Sequence, residues 1–389
     1  MENLDNENRL FSDNVKNIEI SGIRKFYNKV IDVPEALSLT LGQPDFNVPL
    51  KVKDAMIKAI LENKTAYTSN AGIIELREKL SEFLSSFEIN FKSEEICLTI
   101  GGSEGLLSVF TAFINKGDKV LIPSPAYPAY DSCIKLLGGH VIEYNLNKDF
   151  SINFQDLEEK LQKEQPKLMV VSYPSNPTGA VLSKEDRNKL YELLLNMPTI
   201  IISDEIYSSL CYEDNYYSIS QFKELKSKIV LISGFSKMFS MTGLRLGYVC
   251  AHKKFMDEVM KVHQYNVSCA PSIVQWGAYE GLSSCLEDVE NMKNEFKRRR
   301  DYVYERLLAL GLDVTNPQGA FYIFPSIKKY NLSSDVFCER LLREGKLAVV
   351  PGSAFGSRGE GYVRISYSYS MDVLKEALDR LENWLKWAF

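Results

Sequence analysis

Histidine is scarce in this chain: His140, His252 and His263 are the only three among 389 residues. No two stand four apart and no H-E-x-x-H segment occurs, so no metal site is expected. A G-x-S-x-G elbow is also missing, which leaves a Ser-His-Asp hydrolase without its nucleophile turn. Cysteine is present seven times, an odd number, and never as C-x-x-C. That spacing supports neither a disulfide framework nor a zinc ribbon; the cysteines read as small hydrophobes in a reducing compartment. No apolar run approaches the ~20 residues of a membrane span. The opening Met1-Glu2-Asn3-Leu4-Asp5 is acidic and lacks the apolar stretch of a secretory signal, so the expected address is the cytoplasm. Positive charge is in deficit, with 46 Lys and Arg against 51 Asp and Glu. A protein that coats nucleic-acid phosphates is normally basic, so nucleic acid is not an expected partner.

The rest of the composition is ordinary for a globular protein: 45% hydrophobic and 25% charged. Short apolar runs occur at 96–100, 119–122, 168–172, 199–203 and 229–233. Near-continuous β-branched runs suit strands covered on both faces. Helical patterns lie between them, as at 183–196. This alternation predicts an α/β fold with a mainly parallel sheet and flanking helices, and ligand sites beyond the carboxyl ends of the strands. From about 272 to 310 the pattern is long and helical, and it contains the run Lys297-Arg298-Arg299-Arg300, expected to be a solvated face. Strands near 320–324, 347–350 and 362–367 and a last helix at 371–387 predict a smaller α+β domain. The expected division is an N-terminal arm contributing to the small domain (1–45), a large domain (46–285) and a small C-terminal domain (286–389). The first ~15 residues are polar and suggest a mobile arm.

Four segments carry chemistry. In Ser233-Gly234-Phe235-Ser236-Lys237, followed by Arg245, a strand delivers a lysine into a small-residue loop. Desolvation there lowers a lysine pKa and makes its amine nucleophilic, and an arginine eight residues on can hold an anion. A surface lysine with a capping arginine accounts for that segment equally well when it is taken alone. Ser203-Asp204-Glu205-Ile206-Tyr207 ends an apolar strand with a carboxylate, suited either to a ring nitrogen or to a helix cap. Ser172-Tyr173-Pro174-Ser175-Asn176-Pro177-Thr178-Gly179 fixes a tight loop that aims Asn176 back over the sheet. Gly101-Gly102-Ser103-Glu104-Gly105 joins a strand to a helix whose free N–H groups suit a phosphate. It is neither G-x-G-x-x-G nor a Walker A loop, so a nucleotide is not indicated.

In this order and spacing the four segments resemble the class I, fold-type I pyridoxal-phosphate aminotransferases, from Leu41-Gly42-Gln43-Pro44-Asp45-Phe46 to Val363-Arg364-Ile365-Ser366. Glu19–Phe26, Lys261–Ala270 and Gly319–Pro325 are similar to a bacillus-type branch described as N-acetyl-diaminopimelate aminotransferases. The resemblance implies pyridoxal 5'-phosphate as cofactor. It implies that Lys237 bonds to that cofactor, that Asp204 faces its pyridine nitrogen, and that Tyr207 and Asn176 meet its 3'-oxygen. Tyr127 matches the aromatic stacked on the ring. Arg245, Ser236 and the turn Gly102-Ser103-Glu104 match the phosphate cradle. Tyr67 matches a tyrosine that reaches the neighbouring subunit's phosphate, which implies a homodimer with shared sites. Arg364 and Gly42, with Asn176 alongside, match the holders of the substrate α-carboxylate. Two departures stand out. Gly234 occupies a position where some branches have a phosphate-binding serine, with Ser236 and Ser233 as alternatives. His263-Gln264-Tyr265-Asn266 replaces the arginine that grips a distal carboxylate in the dicarboxylate branch.

The implied reaction is ping-pong transamination between an L-amino acid and a 2-oxo acid, with glutamate and 2-oxoglutarate as the general pair. N-acetyl-LL-diaminopimelate in lysine biosynthesis is the implied donor. The alternatives are an aspartate or aromatic aminotransferase and a C–S β-lyase on the same scaffold. A cofactor-sensing regulator would carry a DNA-binding module of about 70 residues ahead of this region; the family-like stretch begins near Glu19, so it is not expected. In Ser21-Gly22-Ile23-Arg24-Lys25-Phe26, either Arg24 or Lys25 is expected near a distal carboxylate; a solvated basic pair on a docking helix is the simpler account.

Overall fold

The structure, a computed structural model, describes residues 10–213 and 215–389. Its centre is a seven-stranded sheet in the order β2-β8-β7-β6-β5-β3-β4. The strands are β2 (Ile96–Thr99), β3 (Lys119–Ser124), β4 (His140–Asn145), β5 (Leu168–Ser172), β6 (Ile200–Asp204), β7 (Ile229–Gly234) and β8 (Gly247–Ala251). All neighbours pair in parallel except β8, which runs antiparallel to both β2 and β7.

The predicted two-sided burial follows from alternation along each strand. Val120, Ile122, Val170, Ile202 and Val230 share one apolar cluster with Leu106, Val109 and Phe110 of the helix Gly101–Phe113. Their neighbours Leu121, Met169, Val171, Ile201 and Ile229 face the other way, onto Leu157, Leu161, Leu190 and Leu194 of two helices. Successive side chains of a strand point to opposite faces, so only an unbroken apolar run satisfies both layers.

A second cluster joins the ends of the chain. Phe26 and Leu39 pack with Phe296, Phe321, Tyr367 and Trp384. Here β1 (Leu37–Ser38) pairs in parallel with β10 (Leu347–Ala348). An antiparallel sheet runs in the order β11 (Val350–Pro351), β12 (Val363–Ser366), β9 (Tyr322–Ile323). The run predicted as one strand at 347–350 is therefore divided between two sheets. The C-terminal helix, Met371–Ala388, turns Leu374, Leu378, Leu381 and Trp384 inward. Among the described residues no helix is long and apolar enough to cross a membrane.

One expectation needs correction. The basic run is not uniformly solvated: on the helix Leu286–Ala309, Arg299 and Arg300 are buried. Arg299 donates to Asp45 at 2.7 Å and to Glu295 at 2.9 Å, and Arg300 donates to the Pro317 carbonyl at 2.7 Å. Helical periodicity explains this, since Phe296, Arg299, Arg300 and Val303 all fall on the inward face. Of the expected polar arm, residues 1–9 lie outside the described residues, while Asp13–Lys16 form a helical turn.

Candidate active site

Strand order puts three of the predicted segments side by side. β6 lies between β5 and β7, with Ser172 opposite Asp204 and Asp204 opposite Ile232. The loop after β5 carries Asn176, the end of β6 carries Asp204, and the short helix after β7, Phe235–Met238, carries Lys237. Antiparallel β8 leaves β2 pointing the same way as β7, so Gly101-Gly102-Ser103 opens onto the same edge. These ends surround a cavity of about 410 Å³. Its lining includes Lys237, Asp204, Tyr207, Asn176, Tyr127, Gly102, Ser103, Ser236, Arg245, Gly42 and Arg364.

Lys237 Nζ donates to the Gly42 carbonyl at 2.5 Å. Burial, aided by Arg245 and Arg364, pushes its ammonium down from 10.5 to about 8. Asp204 is buried, which pushes its carboxyl up; hydrogen bonds from Tyr130 Oη to Oδ2 (2.6 Å) and from the Ile206 N–H to Oδ1 (3.2 Å) oppose that shift. Arg364 is 2% exposed and has no carboxylate partner. Its Nη1 donates to Asn176 Oδ1 at 2.9 Å, its Nη2 to the Thr40 carbonyl at 2.6 Å, and its buried Nε has no partner. The guanidinium lies 4.3 Å over the Tyr322 ring, and the Tyr322 hydroxyl is 2.8 Å from that of Tyr207.

Gly101 has φ +72°, and a Cβ there would stand 2.5 Å from Arg245 Nη2. Only glycine admits the arginine so close to the start of the helix Gly101–Phe113. Arg245 is anchored through Nη1 to the Thr242 carbonyl at 2.8 Å. Ser236 lines the cavity, whereas the Ser233 hydroxyl is turned to the Glu205 carbonyl at 2.9 Å.

Two predicted residues stand apart. The Glu104 carboxylate points away from the cavity: it accepts from the Ile100 N–H at 3.1 Å and Ser108 Oγ at 2.6 Å, and meets His263 Nδ1 at 3.2 Å. Tyr67 is 87% exposed and outside the lining of its own chain's cavity. Of the N-terminal pair, Arg24 lines the cavity, while Lys25 pairs with Glu19. The sequence reading missed Tyr130, Tyr322, Ser172 and the Thr40 carbonyl. Tyr130 carried no helical-spacing signal, since the helix Ala129–Leu136 begins after Tyr127 and the two do not share a helical face.

The charge of the lining is lopsided. Arg24, Lys237, Arg245 and Arg364 face one carboxylate, Asp204. Arg364 is buried without a carboxylate partner, and a buried cation left so is costly, so the cavity calls for an anionic ligand. The family described as aminotransferase class I and II matches residues 34–381. The chain belongs to the class I and II aminotransferases. A relative from Bacillus subtilis (strain 168), named a probable N-acetyl-LL-diaminopimelate aminotransferase, is 44% identical over 96% of this chain and 95% of its own length. An aspartate aminotransferase of Pyrococcus abyssi is 38% identical over 96% of this chain and 98% of its own. The solved aspartate aminotransferase from Thermus thermophilus with maleate superposes with a TM-score of 0.91 at 33% identity, covering 96% of this chain and 99% of that one. The fold is that of the fold-type I aminotransferases, and the chain is a pyridoxal-phosphate-dependent transaminase. The residues fit that cofactor. An amine near pKa 8 suits an aldehyde, a buried carboxylate suits a ring nitrogen, and Arg245 beside the Gly101 turn suits a phosphate.

Proposed function

We propose that this aminotransferase transfers the amino group of N-acetyl-LL-diaminopimelate to 2-oxoglutarate, a step of lysine biosynthesis in the cytoplasm, as a homodimer with shared sites. The carrying observation is the buried lysine–carboxylate–arginine set in one cation-rich cavity. The 44% identical Bacillus relative supports the donor. The aspartate aminotransferases among the relatives support aspartate as the second reading.

Pyridoxal phosphate, when bound, supplies an aldehyde for amino groups and a cationic ring that draws electrons from the substrate Cα. Lys237 would hold that aldehyde and, as a free amine beside the substrate, would take the proton from Cα as general base. Its pKa near 8 leaves a useful free-amine fraction at neutral pH. Asp204 would keep a proton on the ring nitrogen. Tyr207 and Asn176 would serve the 3'-oxygen and Tyr127 the ring. Arg245, Ser236 and the N–H groups of Gly102, Ser103 and Glu104 would hold the phosphate. Arg364 binds the α-carboxylate beside Gly42 and Asn176; with two of its five N–H groups engaged, it retains donors for that ligand. Holding the carboxylate orients the Cα–H for removal.

Leu50, Ile57, Leu61, Tyr67 and Tyr265 are large apolar or aromatic side chains left exposed on one chain. That exposure supports a dimer in which a second copy covers them and Tyr67 reaches the other subunit's phosphate. The same reading divides the chain into an arm (1–45), a cofactor-binding domain (46–285) and a small domain (286–389).

Rapid-mixing absorbance of the loaded enzyme against N-acetyl-LL-diaminopimelate, diaminopimelate, aspartate, aromatic amino acids and cystathionine tests this reading. Fastest conversion with the acetylated donor is expected. Aspartate faster by tenfold would establish the second reading, and pyruvate release from cystathionine without added oxo acid would point to a lyase.

A further inference from the structure

We propose that His263 is a positioning residue of the phosphate turn: it cancels the charge of Glu104, so that the start of the helix Gly101–Phe113 accepts an anion. The inference deepens the transaminase reading above and rests on its assignment of Gly102, Ser103 and Glu104 to the cofactor phosphate.

Glu104 stands in the first turn of that helix. Its Oε2 accepts from the Ile100 N–H at 3.1 Å, on the peptide just ahead of Gly101 and its φ of +72°. The carboxylate thereby fixes the approach to the turn. It also sets a negative charge beside the N–H groups that are to receive a phosphate, and like charges at close range repel. A side chain that shapes the cradle in this way weakens it unless its charge is offset.

His263 supplies the offset from the helix Lys253–Val267. It is 0% exposed, and among the described residues it is the one ion-pair partner of Glu104. Its Nδ1 lies 3.2 Å from Oε1 and 3.3 Å from Oε2 of that carboxylate. Its Nε2 lies 3.0 Å from the Asn70 carbonyl oxygen. A carbonyl oxygen only accepts, so Nε2 carries hydrogen. The Glu104 oxygens already accept from Ser108 Oγ at 2.6 Å and from the Ile100 N–H. A bare ring nitrogen facing them would set acceptor against acceptor. A hydrogen between Nδ1 and the carboxylate removes that conflict, and the buried pair is then neutral as a whole. Asn70 is itself fixed, since its Nδ2 donates to the Ser268 carbonyl at 2.6 Å. The ring is thus held at both nitrogens, with its proton directed at Glu104.

The test measures the affinity of the cofactor-free protein for pyridoxal 5'-phosphate and for pyridoxal by fluorescence titration. The ratio of the two isolates the phosphate, and pyridoxal binding reports that each variant is folded. Three forms are compared: wild type, His263→Gln, and His263→Gln combined with Glu104→Gln. A glutamine amide nitrogen reaches about where Nε2 stands, so the Asn70 contact is kept while Glu104 is left bare. His263→Gln is expected to lower the ratio by about tenfold or more, as the loss of a charge-assisted contact does. Adding Glu104→Gln removes the bare charge and keeps an acceptor for the Ile100 N–H, and the double variant regains part of the ratio. A packing defect at position 263 would show no such recovery. Equal weakening for the two vitamers, or a double variant no better than His263→Gln, overturns the proposal. A wild type that holds pyridoxal as tightly as its phosphate overturns the phosphate assignment instead, so the two failures are distinct.

Discussion

Tyr130 donates to Asp204 Oδ2 at 2.6 Å, with its own oxygen 2.9 Å from Ser172 Oγ. The acid assigned to the ring nitrogen is thus held by a buried hydroxyl, with no cation beside it. Burial pushes the Asp204 carboxyl up and the Tyr130 hydrogen bond pulls it down. Replacing Tyr130 by Phe removes the opposing contact, so the carboxyl pKa rises and its hold on a ring proton weakens. A hydrogen bond to a charged group contributes about 1.5–3 kcal/mol, or roughly ten- to a hundredfold. We expect Tyr130→Phe to slow the half-reaction by about that factor and to shift the pH titration of cofactor absorbance. An unchanged titration would remove Tyr130 from this role.

Lys237→Ala is expected to abolish turnover and the lysine-linked cofactor absorbance together, since nucleophile and base are one residue. Borohydride should tag the peptide containing position 237 in wild type and leave the variant's untagged. Near-normal transamination by the variant would end the assignment.

The Lys237 pKa, pushed down to about 8 from 10.5, also fixes a pH dependence of the cofactor-free protein. Between those values the unfolded chain binds more protons at this site than the folded one, so stability rises with pH there. The cost of the buried charge is complete below pH 8 and gone above 10.5, about 3 kcal/mol in all. Denaturant unfolding of cofactor-free wild type and Lys237→Met from pH 7 to 10 measures it. The gap between them should narrow as pH rises, and a constant gap would contradict the shift.

Gly42 and Tyr322 offer a rescue experiment. A Cβ at position 42 would stand 2.0 Å from the Tyr322 hydroxyl oxygen but 3.2 Å from the ring carbon bearing it. Gly42→Ala should therefore displace Tyr322 from Tyr207 and Arg364, with a loss of cofactor affinity and turnover of tenfold or more. Adding Tyr322→Phe removes the colliding oxygen, and the double variant should regain part of the loss. If it is no better than Gly42→Ala alone, the clash is not the cause.

Arg364→Leu leaves Asn176 and the Thr40 carbonyl without their donor and the α-carboxylate without its cation. Truncating one partner of a buried charged contact costs about 2–5 kcal/mol. KM for amino acids should rise by thirtyfold or more, and the wild-type preference for alanine over its methyl ester should shrink in proportion. An undiminished preference would exclude Arg364 as the clamp.

β4 and β8 were not singled out, but the other five strands of the large sheet and the strand-end positions of Lys237, Asp204 and Asn176 were legible, because near-continuous apolar runs and loop chemistry are local signals. The order of the strands was not, and antiparallel β8 carries the same apolar signature as its parallel neighbours. Nor was the lining contributed by Tyr130 and Tyr322, to which no local motif points. Their hydroxyls matter only through contacts 74 and 115 residues away along the chain. The direction of the Glu104 side chain was hidden for a related reason. Its turn does open onto the cavity, yet the carboxylate faces the other way, toward His263 on a distant helix. A charged run, likewise, says nothing of which turn of its helix meets Asp45.

The Arg364 hydrogen bonds span 188 residues to Asn176 and 324 to Thr40. During synthesis, then, a ribosome-bound chain carries the lysine, the acid and the phosphate turn long before it owns the guanidinium that knots them together. Competence arrives only when the last strand has been made, and a fragment cut anywhere upstream of β12 inherits an incomplete pocket.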